Sequence, residues 1–72
     1  MPVAAEIHAD LMRQIESGKL APGARVPSIV TLAERYGVAL TTVRKALDAL
    51  KADGLVVASH IGTFVAEHPR RP

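Results

Sequence analysis

Within a short stretch the chain places two hydroxyls, a guanidinium and an ammonium: Thr41, Thr42, Arg44 and Lys45. With Asp48 they fall on the side of a helical repeat opposite Val43, Ala46, Leu47 and Leu50, so they are offered to solvent or to a ligand. A guanidinium can grip a phosphate or pair bidentately with guanine, which makes Arg44 the foremost candidate for recognition chemistry. Other chemistries find little support. His8, His60 and His68 are far apart in sequence, no two histidines stand one turn apart, and there is no cysteine, so no metal site is expected. Neither a Gly-rich phosphate loop nor a coherent pairing of nucleophile and base is visible. The expectation is a non-enzyme with no catalytic residue and no cofactor.

These residues must be positioned by a small body. The chain has 72 residues, 49% of them hydrophobic, with 9 Lys plus Arg against 7 Asp plus Glu, a formal net charge of +2. That is one domain, and without disulfides its stability must come from one compact core. The absence of cysteine fits a reducing compartment, and the cytoplasm is the expected location. The longest apolar runs, such as Leu55 to Ala58, fall far short of the roughly 18 residues that cross a bilayer. No basic stretch followed by an apolar one marks an export signal, so no membrane association is expected. Aromatic residues make up 3% of the chain, too few for the stacking platforms of RRM or OB-fold binders of single strands. The positive excess is small, and where the charges sit must decide the partner.

Ile7, Leu11 and Ile15 recur every four residues among Glu6, Asp10, Arg13, Gln14 and Glu16, which predicts an amphipathic helix over about 4–17. Ser17-Gly18 stops it. Ala21-Pro22-Gly23 then turns the chain into a short extended piece, Arg25-Val26-Pro27. The Ser28 hydroxyl can accept from an unpaired first-turn amide, starting a second helix from Ile29 to Tyr36. Gly37 supplies the reversal, and a third helix of about 40–53 follows, closed by Asp53-Gly54. Ala33 is small where the two helices cross, while Val38 and Val43 fill the wedge between them. The β-prone runs 55–59 and 63–66, separated by His60-Ile61-Gly62, predict a hairpin. Phe64, Val65, Leu47, Leu50, Leu11 and Ile15 are assigned to the core by their spacing. The domain is expected over 1–66, with 67–72 a disordered tail or the start of a linker.

Helix, helix-turn-helix and hairpin is the order of a winged helix-turn-helix: mainly α, three helices plus a two-stranded wing. Over about residues 5–66 the chain resembles the DNA-binding domain of the GntR family of bacterial transcription regulators. The matching stretches are Gly18-x-Leu20-x-Pro22-Gly23, Val26-Pro27-Ser28, Leu32-Ala33-x-x-Tyr36-Gly37-Val38, Thr41-Thr42-Val43-Arg44-x-Ala46-Leu47-x-x-Leu50, Asp53-Gly54-Leu55-Val56 and Gly62-Thr63-Phe64-Val65. Tyr36-Gly37-Val38 and Ala46-Leu47-Asp48-Ala49-Leu50 are especially similar to the HutC-like branch.

The resemblance implies sequence-specific binding of double-stranded DNA by a regulator such as a repressor, usually as a homodimer on a two-fold operator. The third helix would enter the major groove, and the wing at 59–63 would lie along the backbone or minor groove. Arg44 matches the recognition-helix arginine, and Thr41 and Thr42 match positions that touch phosphate or base edges. The implied DNA-binding set is Ser28, Thr41, Thr42, Arg44, Lys45, His60, Gly62 and Thr63, with Ser59 beside it on the wing. For the threonines, helix capping is the competing role; for Lys45, plain surface charge; for the wing residues, a purely structural turn. Family members normally carry a C-terminal effector-binding and dimerising domain, so the chain reads as a fragment ending in the linker or as a stand-alone module.

Several positions depart from the family pattern. Val30 and Leu40 stand where arginines are usual, and His60 and Ile61 occupy a wing tip where glycine and a basic residue are common. Ala39 stands where a serine or threonine usually caps the third helix, which predicts a late start with Thr41 as cap. Fewer cations imply weaker and less salt-sensitive binding than in a typical member. Ile29, Val30 and Leu40 could contact thymine methyls or form an apolar patch for a protein. The alternative function is therefore a winged-helix protein-interaction module that has lost DNA reading. Nothing in the core pattern leaves a large dimer face, so the isolated domain is expected to be a monomer or to dimerise only on DNA.

Overall fold

The computed structural model describes residues 3–67. Helix α1 spans Ala4–Glu16, and its stripe of Ile7, Leu11 and Ile15 is buried. Val3 has no side-chain acceptor to cap it, but its own N–H donates to Glu6 Oε1 at 3.1 Å, half of a reciprocal cap. The helix closes at Glu16 because Ser17 becomes the C-cap, its N–H donating to the Arg13 carbonyl at 2.9 Å.

Helix α2 is Ile29–Tyr36, as its spacing predicts. Ser28 accepts the Thr31 N–H at 3.2 Å and donates its own hydroxyl hydrogen to Thr31 Oγ1 at 3.0 Å, tying down an amide that the helix leaves unpaired. Gly37 ends α2 at φ 68° and ψ 38°, the left-handed conformation in which a β-carbon is penalised. Helix α3 follows, Leu40–Ala52. It does not begin late with Thr41 as its cap. Ala39 is the N-cap at φ −71° and ψ 155°, and its carbonyl accepts from Thr42 N–H at 3.1 Å and Val43 N–H at 3.4 Å. An extended residue whose carbonyl faces the first turn starts a helix without any side-chain acceptor, so Thr41 lies inside the helix.

Strands β1 (Val56–Ser59) and β2 (Gly62–Val65) pair antiparallel in the register Val56↔Val65, Val57↔Phe64, Ala58↔Thr63 and Ser59↔Gly62. His60 and Ile61 form the turn between them. The expected piece 25–27 is more than a connector. Arg25 bridges to Phe64, Val26 N–H donates to the Thr63 carbonyl at 2.8 Å, and Val65 N–H donates to the Ala24 carbonyl at 2.8 Å. The loop before α2 thus lies along β2 and fixes the base of the hairpin.

One core joins these parts: Ile7, Leu11 and Ile15 from α1, Leu32 and Ala33 from α2, Val43, Ala46, Leu47 and Leu50 from α3, with Val26, Leu55, Val56 and Val65. Val38 packs against it from the turn, and Val43 is fully buried within it. No polar side chain is buried among the described residues. Phe64 is not part of this core and is half-buried. Side chains alternate across a strand, and once the Val56–Val65 pair faces inward, the neighbouring Val57–Phe64 pair must face away.

Two polar contacts lash α1 to the helix pair. His8 Nε2 lies 2.9 Å from Asp53 Oδ2, and the Tyr36 hydroxyl donates to Asp10 Oδ2 at 2.5 Å. Asp10 also accepts from Gln14 at 3.1 Å and Arg13 at 3.2 Å. The Tyr36 bond above all holds the Asp10 carboxyl below its ordinary range, while burial and then that same bond push the Tyr36 phenol up to about 12. The expected tail lies outside the described residues from position 68 onward.

Candidate nucleic-acid interface

Because Val43, Ala46, Leu47 and Leu50 are committed to the core, the 3.6-residue repeat turns Thr41, Arg44, Lys45 and Asp48 outward. Thr41 and Arg44 are three residues apart and Thr41 and Lys45 four apart, so all three share one exposed helix face. Thr42 is half-buried and less available. Asp48 and Lys51 meet at 3.3 Å, so that carboxylate is occupied by a lysine and leaves Arg44 alone. Arg44 and Lys45 have no ion-pair partner among the described residues. A cation without an internal counter-ion on a rigid helix is poised for an external anion.

The wing stands beside this face. Arg44, Leu47, Asp48 and Lys51 from α3, Ala58 and Thr63 from the hairpin and Ile29 from α2 line one groove. Ile29 and Thr63 also border a second groove, shared with Ser28, Val30, Arg25 and Gly62. Four of the residues singled out in the sequence, Ser28, Arg44, Gly62 and Thr63, are therefore gathered around Ile29 although they come from three parts of the chain. Thr41, Thr42, Lys45 and His60 line neither groove; His60 is exposed at the wing tip. Val30, Leu40, Val57 and Ile61 are the large apolar residues of these elements that are half-exposed or more.

Two hydroxyls of this surface already have internal work. Ser28 caps α2, as described above. Ser59 holds the wing turn, donating to the Gly62 carbonyl at 3.2 Å and accepting the Ile61 N–H at 3.3 Å. Arg25 is a further exposed residue beside the wing. Its cationic type was visible, but the pairing that places it beside Gly62 is a long-range contact with no local signal. Among the described residues no group of three or more His, Cys, Asp or Glu side chains could hold a metal ion, and no helix is long and apolar enough to cross a membrane.

Three helices, the last two joined through a left-handed glycine, and a two-stranded wing abutting the exposed face of the third define a winged helix-turn-helix domain. Residues 3–65 match the family described as bacterial regulatory proteins, gntR family, and the chain belongs to that family. Over 67 residues it is 40% identical to the histidine utilization repressor of Pseudomonas putida, covering 92% of this chain and 27% of that protein. It is 37% identical over 68 residues to the HTH-type transcriptional repressor NagR of Bacillus subtilis, covering 93% of this chain and 28% of that protein. The AraR DNA-binding domain in complex with operator ORE1 superposes with a TM-score of 0.86 at 33% identity, over 92% of this chain and 82% of that one. YtrA from Sulfolobus acidocaldarius, a GntR-family transcription factor, gives a TM-score of 0.88 at 32% identity, over 94% and 72% of the two chains. The chain thus spans about a quarter of the length of the two repressors, and the HutC-like wording of its turn agrees with a histidine utilization repressor among its relatives.

Proposed function

We propose that this chain is the DNA-reading part of a bacterial transcription regulator, binding double-stranded DNA by sequence and acting by occupancy rather than by catalysis. Helix α3 enters the major groove with Arg44 at base edges or phosphate, while Thr41, Thr42 and Lys45 hold the flanking backbone. The wing, with His60, Gly62 and Thr63, lies on the backbone or minor groove, and Ser28 adds its N-cap corner beside it. The observation that carries this reading is the exposed Arg44, without an ion-pair partner among the described residues, in one groove with Thr63 of the wing. The superposition on a domain whose structure contains its operator supports it. A two-fold operator would take two copies of the chain, and the working compartment is the cytoplasm.

Titration against random duplex and against a duplex obtained by in vitro selection tests the proposal. Preferential binding of the selected duplex is expected, and Arg44→Ala should cost about 1 to 3 kcal/mol of that preference if Arg44 pairs with a base. Equal and negligible affinity for both duplexes at low salt would overturn it. The protein-interaction reading would then gain, with Val30, Leu40 and Ile61, each half-exposed or more, as the apolar side chains open to a partner.

A further inference from the structure

Arg25, like Arg44 and Lys45, is a cation with no ion-pair partner among the described residues, but it comes from the loop before α2. Arg13 is spent on Asp10 and Lys51 on Asp48, whereas Arg25 is exposed and has no ion pair or side-chain hydrogen bond among the described residues. Yet it is not a freely swinging side chain. Its backbone is held between the Val26 N–H bond to Thr63 and the Val65 N–H bond to Ala24, both 2.8 Å, in a bridge to Phe64. Its guanidinium lies against Gly62, where a β-carbon would sit 3.0 Å from Nε, 3.1 Å from Nη2 and 3.3 Å from Cζ. Gly62 has φ 142°, a conformation that L side chains rarely adopt, so the surface the guanidinium rests on is bare backbone.

We propose that Arg25, laid across Gly62, is a DNA-backbone contact that anchors the wing, a cation supplied from the loop before α2 rather than from the hairpin tip. The proposal rests on the DNA-binding reading and adds a residue to it. Geometry directs the charge toward the right place: Arg25 borders the groove with Ser28, Val30 and Thr63, and that groove shares Thr63 and Ile29 with the one holding Arg44. Phosphate is the expected partner rather than a base edge, because the guanidinium lies on Gly62 beside the wing turn and not on the helix that presents Arg44. A guanidinium already packed on one face loses less freedom when it grips an oxygen than a free one does. It also puts positive charge on a groove where Val30 is apolar and half-exposed.

The test measures affinity of the 72-residue chain for a random duplex and for an in vitro selected duplex across a series of potassium chloride concentrations. Variants are Arg25→Gln, Arg25→Lys and Arg44→Ala; both Arg25 changes are at an exposed position, so folding is not at stake. Arg25→Gln should weaken both duplexes by the same factor, about ten at low salt, and flatten the salt slope by about 0.9. Arg25→Lys keeps the charge and should keep the slope while losing part of the affinity. Wild-type affinity and slope in Arg25→Gln, with Arg44→Ala still losing discrimination, would overturn the Arg25 contact and leave DNA reading intact. A slope flattened equally by Arg25→Lys would also overturn it, since a contact made through charge must survive that change. Failure of the unaltered chain to bind either duplex would remove the reading on which the contact rests.

Discussion

His8 of α1 and Asp53, the C-cap of α3, meet at 2.9 Å with 22% and 26% of their side chains exposed. The contact joins the first helix to the far end of α3, so α1 acts as a brace that sets how α3 is held behind the exposed Arg44 face. Because both groups are three-quarters covered, their coupling should exceed that of a surface pair. A double-mutant cycle with His8→Ala and Asp53→Ala, read by urea unfolding, should return about 0.5 to 1.5 kcal/mol of interaction. Strict additivity of the two changes would show that the contact contributes nothing to the brace.

Tyr36 and Asp10 make the second brace respond to pH in opposite directions. The phenol sits higher in the fold, at about 12, than its ordinary 10.0. Its contribution to stability is therefore complete below about pH 10 and is lost as pH rises toward 12. The Asp10 carboxyl is lowered, so its contribution is present above the ordinary carboxylate range and is lost as pH falls through the depressed value. Unfolding midpoints followed across pH should fall at both extremes. Tyr36→Phe should remove the alkaline fall and reduce the acidic one, because the phenol is the chief cause of the Asp10 shift; an unchanged alkaline limb would contradict this.

Gly37 carries the turn on which the helix pair depends. Its φ is 68°, and nothing lies within 4 Å of where a β-carbon would stand. The cost of Gly37→Ala is then purely conformational, about 1 to 2 kcal/mol. Thermal or urea unfolding checks the size, and a neutral or stabilising alanine would mean that the turn relaxes to another conformation.

Ala39 leaves α3 without a side-chain cap at an extended N-cap conformation that a serine can occupy. Ala39→Ser should stabilise the domain by about 1 kcal/mol, with its hydroxyl accepting a first-turn N–H. Calorimetry checks the gain. A loss of stability would show that the bare alanine is required by the packing of the turn.

The helices and their ends were legible in the sequence because the signals are local. Ile7, Leu11 and Ile15 recur at helical spacing, Ser28 offers an acceptor to an amide three residues on, and Gly37 tolerates a positive φ; each depends on backbone that is adjacent in the chain. Within the candidate site, the outward turn of Arg44 and Lys45 followed from the same repeat. The start of α3 is not legible in this way, because the Ala39 carbonyl serves where the residue types offer no side-chain acceptor.

The amino-acid order by itself thus determined the succession of helix, helix-turn-helix and hairpin, and the helix face that carries the cations. Only the tertiary structure decided that Phe64 faces away from the core, that Arg25 lies on Gly62, and that His8 and Tyr36 find Asp53 and Asp10. Phe64 and Val65 are both apolar, so strand parity stays open until one of them docks on the helices. The other pairs join residues that become neighbours only when whole elements pack, and no spacing rule along the chain encodes that approach.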